Sequence, residues 1–367
     1  MSIDKRPNGK YRSRWREVAG GPQKTQTFDR KIDAQRHLTA MNAALLHGSY
    51  VDPSAGKVRL KEYSLRWAEQ QPWRQSSRER IVSVLDKHIV PRFGALELRA
   101  LKPTDVRSWV GEMSKTLAPS TVESYYRVLV AVMRSAVVDK LIHQSPCGPS
   151  IKLPRRQSTT SALVPLSVEQ VQTIASAVPE RLRALVLTSA GLGLRQGEAC
   201  GLTRDRVDFL RRRVTIDRQL ICNAGEVPSL GPPKTPASVR TVPLPDVVGE
   251  VLARHIAEYA VDTGALLFTM DDQRPVRRAS WGHIFRAATD SVKIDATSHD
   301  LRHHAASLLI SKGCSVKAVQ SFLGHATAAE TLDTYGHLWP DDDDKIRASI
   351  DGAYRGAESQ LSPAVSG

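Results

Sequence analysis

The stretch LGHATAAETLDTYGHL, Leu323 to Leu338, sets one histidine ten residues ahead of a tyrosine and a second histidine two residues behind it. Just upstream, SVKAVQSF brings Val316, Val319, Phe322 and Leu323 to one face at helical spacing, and Gly324 is the residue to end that helix. Thr327 and Glu330 stand at capping-box spacing, so a second helix begins there and carries Tyr335 two turns on. Tyr335 then has two readings. An aromatic on an amphipathic helix is ordinarily core or rim, and a phenol of pKa near 10 holds almost no phenolate at neutral pH. As a nucleophile it needs neighbours that activate it.

Three other stretches supply candidates. TSHDLRHHAASLLISKG (Thr297–Gly313) predicts a helix capped by Thr297 or Ser298 and ended by Gly313. Its wheel sends Leu301, Ala305 and Leu308 to one side and His299, Arg302, His303 and Ala306 to the other. A helix start offers free N–H groups and the positive dipole end, so Arg and His there suit a phosphate, although a solvated helix face has the same pattern. In SAGLGLRQGEACGL (Ser189–Leu202), a helix ends near Ala190 and Gly191 and Gly193 allow a tight turn before Arg195 opens the next helix. Glu198, one turn on, is placed to hold that backbone or pair with a neighbour. In GPPKTPASVRTVPLP (Gly231–Pro245), Lys234 lies at the tip or edge of a hairpin, either solvated or a proton donor delivered to a bound substrate.

Together these groups fit phosphodiester chemistry. An oxygen attacking phosphorus builds negative charge on the non-bridging oxygens, which bidentate guanidinium groups hold well, a role for Arg195 and Arg302. Proton traffic falls to Lys234 and the imidazoles. No metal or other cofactor is required: no paired-carboxylate cluster of the two-metal kind is present, and the run Asp341 to Asp344 lacks the separation of a metal site.

The rest of the chain supports a nucleic-acid partner. With 367 residues it is long enough for two or three domains. Its 52 Lys and Arg against 38 Asp and Glu leave +14, which favours a polyanion. An anionic membrane is the poorer partner, since no apolar run can span a bilayer and no segment has a concentrated basic face. MSIDKRPNGK has no apolar stretch after its charges, so the expected location is cytoplasmic. Cys147, Cys200, Cys222 and Cys314 are scattered, against both a disulfide framework and a cysteine zinc site, and are expected to be reduced and mostly buried.

Residues 1–56 form a small unit. GKYRSRWREV and KTQTFD read as strands around AGGPQ, with a helix from Lys31 to Leu46. Tyr11, Ser13, Trp15 and Glu17 alternate with Arg12, Arg14 and Arg16, so one face carries three guanidinium groups. Such a face fits a DNA groove, and equally a charge-protected edge strand. Residues 57–144 read as helical, with candidate helices Leu60–Gln70, Arg78–Ile89, Pro103–Met113 and Ser120–Leu141. The last has Ser120 and Glu123 at capping-box spacing and a core stripe from Val122 through Tyr125, Tyr126, Leu129, Val132 and Met133 to Ala136. Residues 145–163, SPCGPSIKLPRRQSTTS and its flank, are a linker whose Lys152, Arg155 and Arg156 could track a phosphate backbone. Residues 164–350 open with a capping box at Ser167 and Gln170, then alternate helices with a strand-rich insert, RRVTIDRQLIC and VRTVPLP flanking a Gly- and Pro-rich loop. Residues 351–367 are a short polar tail.

In order and approximate spacing, GLGLRQGEACGL, PPKT, HDLRHHAASLL and LGHATAAETLDTYGH resemble the tyrosine recombinase or phage integrase family. The resemblance spans most of Val164 to Trp339 and implies an active site of Arg195, Lys234, His299, Arg302, His325 and the nucleophile Tyr335. His303 and His337 are supporting or structural. The fold implied is mainly α with small β-sheets: an arm-type DNA-binding domain of a three-stranded sheet plus a helix, a helical core-binding domain, and a mixed α/β catalytic domain. The implied reaction is site-specific cleavage and rejoining of DNA through a 3′-phosphotyrosyl link, integrating or excising a phage or mobile element. It needs neither ATP nor metal. The implied partners are double-stranded DNA with core and arm sites, a homo-tetramer on that DNA, and a host bending factor and a directionality factor, in a bacterial host. The competing readings are a non-catalytic DNA-binding protein on this scaffold, a recombinase that resolves replicon dimers, and a topoisomerase-like relaxing enzyme.

Overall fold

A computed structural model describes residues 2–16, 20–47, 50–52, 54–154, 164–223, 225–339 and 346–354. The chain divides into two compact units, Met1–Thr159 and Thr160–Gly367.

The first unit begins with β1 (Ser2–Lys5), β2 (Tyr11–Arg16) and β3 (Gln23–Phe28), an antiparallel sheet in that order, followed by α1 (Lys31–Leu46). The alternation of β2 holds: Ser13 and Trp15 are buried against α1, where the Trp15 ring meets His37 edge-on at 5.0 Å. Arg12, Arg14 and Arg16 lie on the opposite face. Register sets Asp4 and Thr27 beside Arg12, and Thr25 beside Arg14. Asp4 accepts from Arg12 Nη2 and Arg14 Nε, each at 2.8 Å, and these two guanidinium groups draw its carboxyl down to about 2. Two of the three arginines are therefore partly neutralised by their own sheet.

The helical part comprises α2 (Leu60–Glu69), α3 (Gln75–Val84), α4 (Val90–Phe93), α5 (Pro103–Met113) and α6 (Pro119–Val138), with a π turn at Leu85–Ile89 joining α3 to α4. Leu60, Leu85, Ile89, Phe93, Val106, Trp109, Val122, Leu129, Val132 and Met133 close its core. Three expectations change. The helix expected from Arg78 starts at Gln75. Ser120 does not cap α6: the helix starts with Pro119, whose fixed φ and missing N–H suit a first turn without a side-chain cap. The linker does not begin at residue 145, because Ile151 is buried in this core and Cys147 and Leu153 pack on it.

The second unit contains α7 (Val168–Ala177), α8 (Glu180–Leu192), α9 (Gln196–Cys200), β4 (Val207–Asp208), β5 (Arg213–Ile216), β6 (Gln219–Ile221), β7 (Ser229–Gly231) and β8 (Arg240–Pro243). It continues with α10 (Asp246–Glu258), α11 (Arg278–Ser291), α12 (Asp300–Ser311), α13 (Val316–Leu323) and α14 (Ala328–Tyr335). Strands pair as β4-β5-β8 and β6-β7, all antiparallel. The stretch RRVTIDRQLIC is thus two strands, and β7 forms inside the expected Gly- and Pro-rich loop. Ser167 and Gln170 cap α7 reciprocally, and at α14 Thr327 accepts from Glu330 N while Glu330 accepts from Ala326 N. The core gathers Ile174, Leu185, Leu192, Val214, Val242, Leu252, Phe268, Trp281, Phe285 and Leu301, each large side chain worth roughly 1.5–3 kcal/mol on burial. Of the cysteines only Cys200 is buried. No helix among the described residues is long and apolar enough to cross a membrane.

Candidate active site

At the end of α8, Gly193 takes the left-handed φ of 60° that closes the helix and turns the chain into Arg195. Arg195 is the N-cap of α9, and its own N–H donates to Glu198 Oε2 at 3.0 Å. Its guanidinium donates to Glu198 Oε1 (2.9 Å), Ser238 Oγ (3.1 Å) and the carbonyl of Gly324 (3.2 Å).

The wheel drawn for α12 is corrected by its surroundings. Leu308 is 42% exposed, whereas Arg302 (1%) and Ala306 (0%) are buried, because α8 and α13 pack on this helix and cover the side that carries the polar residues. His299, not Thr297 or Ser298, is the N-cap; Thr297 instead donates through N and Oγ1 to Asp300 Oδ2. Arg302 Nη1 donates to the Gly193 carbonyl and Nη2 to the Leu323 carbonyl, both at 2.8 Å. Among the described residues, three of its five N–H groups have no partner. Burial presses its charge down to about 9, so it stays cationic at neutral pH.

The C-terminus of α13 joins these pieces. Helix ends leave carbonyls unpaired and carry the negative dipole end. Here Arg240 Nε takes the carbonyl of Phe322 (2.8 Å), Arg302 that of Leu323 and Arg195 that of Gly324. Three cations thus sit on three consecutive carbonyls. His325 follows directly, buried, with Nδ1 2.8 Å from Thr331 Oγ1. Burial, then Arg302, holds its pKa well below the ordinary histidine value.

Tyr335, the last residue of α14, is 1% exposed in a small cluster with Ala306, Ile310, Val319 and Leu323. Its hydroxyl lies 2.7 Å from His303 Nδ1, and its ring is nearly parallel to that of His325 at 6.4 Å. Burial pushes the phenol up to about 12 against the pull of Arg302 and Arg195. The His299 ring stands edge-on to His303 at 4.7 Å.

The geometry therefore brings Arg195, His299, Arg302, His325 and Tyr335 together. Lys234 is exposed between β7 and β8. Its neighbour Thr235 reaches Ser238 Oγ at 2.9 Å, and Ser238 reaches Arg195, so its loop is fastened to the site. Of the expected DNA contacts, Arg16 and Lys152 are exposed, Arg12 and Arg14 pair with Asp4, and Arg155 and Arg156 lie outside the described residues. The residue reading passed over Arg240. Strand alternation carries its signal: Arg240 shares the inward face of β8 with buried Val242, where a cation needs a buried partner.

The sequence matches the Phage integrase family over residues 165–341 and the Phage integrase central domain over residues 60–150. It is 29% identical over 352 residues to a putative prophage phiRv2 integrase of Mycobacterium tuberculosis, covering 92% of each chain. The fold is shared with the Tn1549 transposon integrase in complex with a circular intermediate DNA, at TM-score 0.67 and 22% identity, covering 81% of this chain and 99% of that one. It is also shared with a lambda integrase tetramer bound to a Holliday junction, at TM-score 0.58 and 17% identity, covering 89% and 96%. A buried tyrosine hydroxyl beside two arginines and three imidazoles, on this fold, is the arrangement of a tyrosine-type strand transferase. The chain belongs to the phage integrase family of site-specific recombinases.

Proposed function

We propose that this chain cuts and rejoins DNA at attachment sites through a 3′-phosphotyrosine at Tyr335, integrating or excising a phage or mobile element. The observation that carries this is Arg302, buried and fixed by two carbonyls within the shell of Tyr335, with three donors left for a phosphate. Tyr335 Oη attacks the scissile phosphorus, the bond to O5′ breaks, and the 5′ oxygen leaves as a hydroxyl after taking a proton. Arg195 and Arg302 face the charge that builds on the non-bridging oxygens, and because both are already held they need no reorganisation. Lys234 on its fastened loop is the proton donor to O5′, and His299 and His325 donate to the phosphate oxygens. Rejoining is the reverse with a partner strand, so bond energy is conserved.

Strand exchange between two duplexes takes four such sites, so the working form is a homo-tetramer on double-stranded DNA. The N-terminal sheet, with Arg16 open and Arg12 and Arg14 aligned by Asp4, is the arm-site surface, and exposed Lys152 is a further phosphate contact. A host bending factor and a directionality factor complete the assembly.

The experiment is to incubate the protein in EDTA with nicked, labelled attachment-site DNA, denature, and look for a covalent adduct, with Tyr335→Phe alongside. An adduct with the parent and none with the variant supports the reading. Tight, specific binding to the sites without any adduct would leave a DNA-binding scaffold and remove the recombinase.

A further inference from the structure

We infer that His303 is the group that takes the proton from Tyr335 during strand cleavage and returns it during rejoining. This rests on the reading of Tyr335 as nucleophile. His303 Nδ1 lies 2.7 Å from the Tyr335 hydroxyl, the hydrogen bond that this oxygen makes among the described residues.

Three observations separate His303 from the other imidazoles. The His325 ring lies nearly parallel to the Tyr335 ring at 6.4 Å, its Nδ1 is engaged by Thr331, and among the described residues it makes no hydrogen bond to the reacting oxygen. The His299 ring stacks edge-on against His303 rather than against the tyrosine. The Tyr335 phenol is pushed up by burial and is protonated at neutral pH, and in the His303 tautomer that this transfer requires, with the ring proton on Nε2, it donates to Nδ1.

The charges around the pair explain why the transfer waits for substrate. His303 faces Asp300 and Arg302 on its own helix and His299 at the helix start. Tyr335 faces Arg302, Arg195, Asp300, Glu330 and His325. Among the protein's own groups burial and Arg302 disfavour an imidazolium, while burial disfavours a phenolate, so the proton stays on oxygen. A phosphodiester on Arg195 and Arg302 cancels the cationic field that opposes a charged His303, and Asp300 then favours it. The bond from Tyr335 Oη to phosphorus forms as the bond from phosphorus to O5′ breaks. The phenolic proton passes to Nδ1, giving an imidazolium, and O5′ takes its proton from a different donor. In rejoining, the 5′ hydroxyl returns its proton to that second donor as it attacks, the bond from phosphorus to Oη breaks, and Nδ1–H returns the proton to the phenolate.

The test measures single-turnover adduct formation on nicked attachment-site DNA from about pH 5 to about pH 9, with site binding measured in parallel. The parent protein, His303→Asn and His303→Ala are compared. Asn keeps an acceptor near Nδ1 but cannot carry the proton. The expected result is a parent rate that falls on the acid side with unit slope and a His303→Asn rate lower by roughly 10²-fold or more without that limb. Added imidazole should restore part of the His303→Ala rate. A variant that cuts within about threefold of the parent at every pH, or one that is slow but keeps the acid limb and ignores imidazole, makes His303 a packing residue only. A parent rate flat to about pH 5 overturns the inference without any variant. A parent that binds its sites and never forms the adduct overturns the recombinase reading instead.

Discussion

Glu198 and Arg240 form an ion pair of 3.0 Å whose side chains are only 2% and 6% exposed. Glu198 spends its other oxygen on the Arg195 guanidinium, so one buried carboxylate orients two arginines, only one of which is proposed to face the phosphate. Burial alone would raise the Glu198 carboxyl, but Arg240 and Arg195 outweigh it and the net shift is downward.

Glu198→Gln leaves Arg240 buried without a counter-charge, a loss of about 3–5 kcal/mol. It also removes the charged partner of Arg195 and leaves Ser238 and the Gly324 carbonyl to hold it, so adduct formation should fall along with stability. Because the folded pKa is depressed, the carboxylate stabilises above the unfolded value near 4.3, and that contribution disappears as pH drops through the folded value. Urea unfolding at neutral and acid pH should show the parent losing more on acidification than Glu198→Gln. Equal losses would mean that the pair does not govern the acid limb.

Gly193→Ala strains a left-handed residue and sets a Cβ 2.8 Å from Leu323 Cδ2 and 3.3 Å from Ala305 Cβ. Overpacking of this kind costs about 1–3 kcal/mol, with roughly 1–2 kcal/mol more for the backbone. The carbonyl of the same residue holds Arg302, so the displaced acceptor should slow cleavage beyond what the lost stability accounts for. Cleavage measured well below the melting point, where both proteins are folded, separates the two effects.

His325 is kept neutral by burial and by Arg302, with its folded pKa below the unfolded value near 6.5. Above that value neither state is charged and His325 does not affect stability. As pH falls through it, the unfolded chain gains a proton that the folded chain refuses, and stability declines until the folded pKa is reached. His325→Gln should therefore lose less stability than the parent between pH 7 and pH 5 in urea titrations. A steeper loss in the variant would contradict this.

On the N-terminal sheet, Asp4→Asn removes the carboxylate that Arg12 and Arg14 share. If that face binds arm-site phosphates, the variant binds arm DNA more tightly with a steeper salt dependence. Arg16→Ala should then reduce the slope of log K against log salt by about 0.9. If the arginines only protect an edge strand, neither change moves arm binding.

What the residues disclosed on their own follows from how local each feature is. Gly193, Gly324 and the caps at Ser167 and Thr327 are set by neighbouring residues, and those turns formed where expected. Arg302 was legible as a candidate for a phosphate but not as a buried residue, since the elements that cover it lie far away in sequence. Leu308 failed for the converse reason: a wheel gives the angle between side chains and not the neighbour that arrives. β7 was hidden because three residues paired to β6 in a Pro-rich loop leave no periodic signal. The bond between His303 and Tyr335 spans 32 residues and two helices, and nothing in either segment announces it.

The three arginines on the carbonyls of Phe322, Leu323 and Gly324 also bear on how the protein is made. Arg195 and Arg240 belong to stretches that leave the ribosome long before α13, and Arg302 precedes it as well. Until the segment ending at Gly324 has been synthesised and folded, none of the three has its helix-end anchor, and Tyr335 does not yet exist in the chain. Strand cleavage through Tyr335 therefore becomes possible only once α13 and α14 have been made and folded.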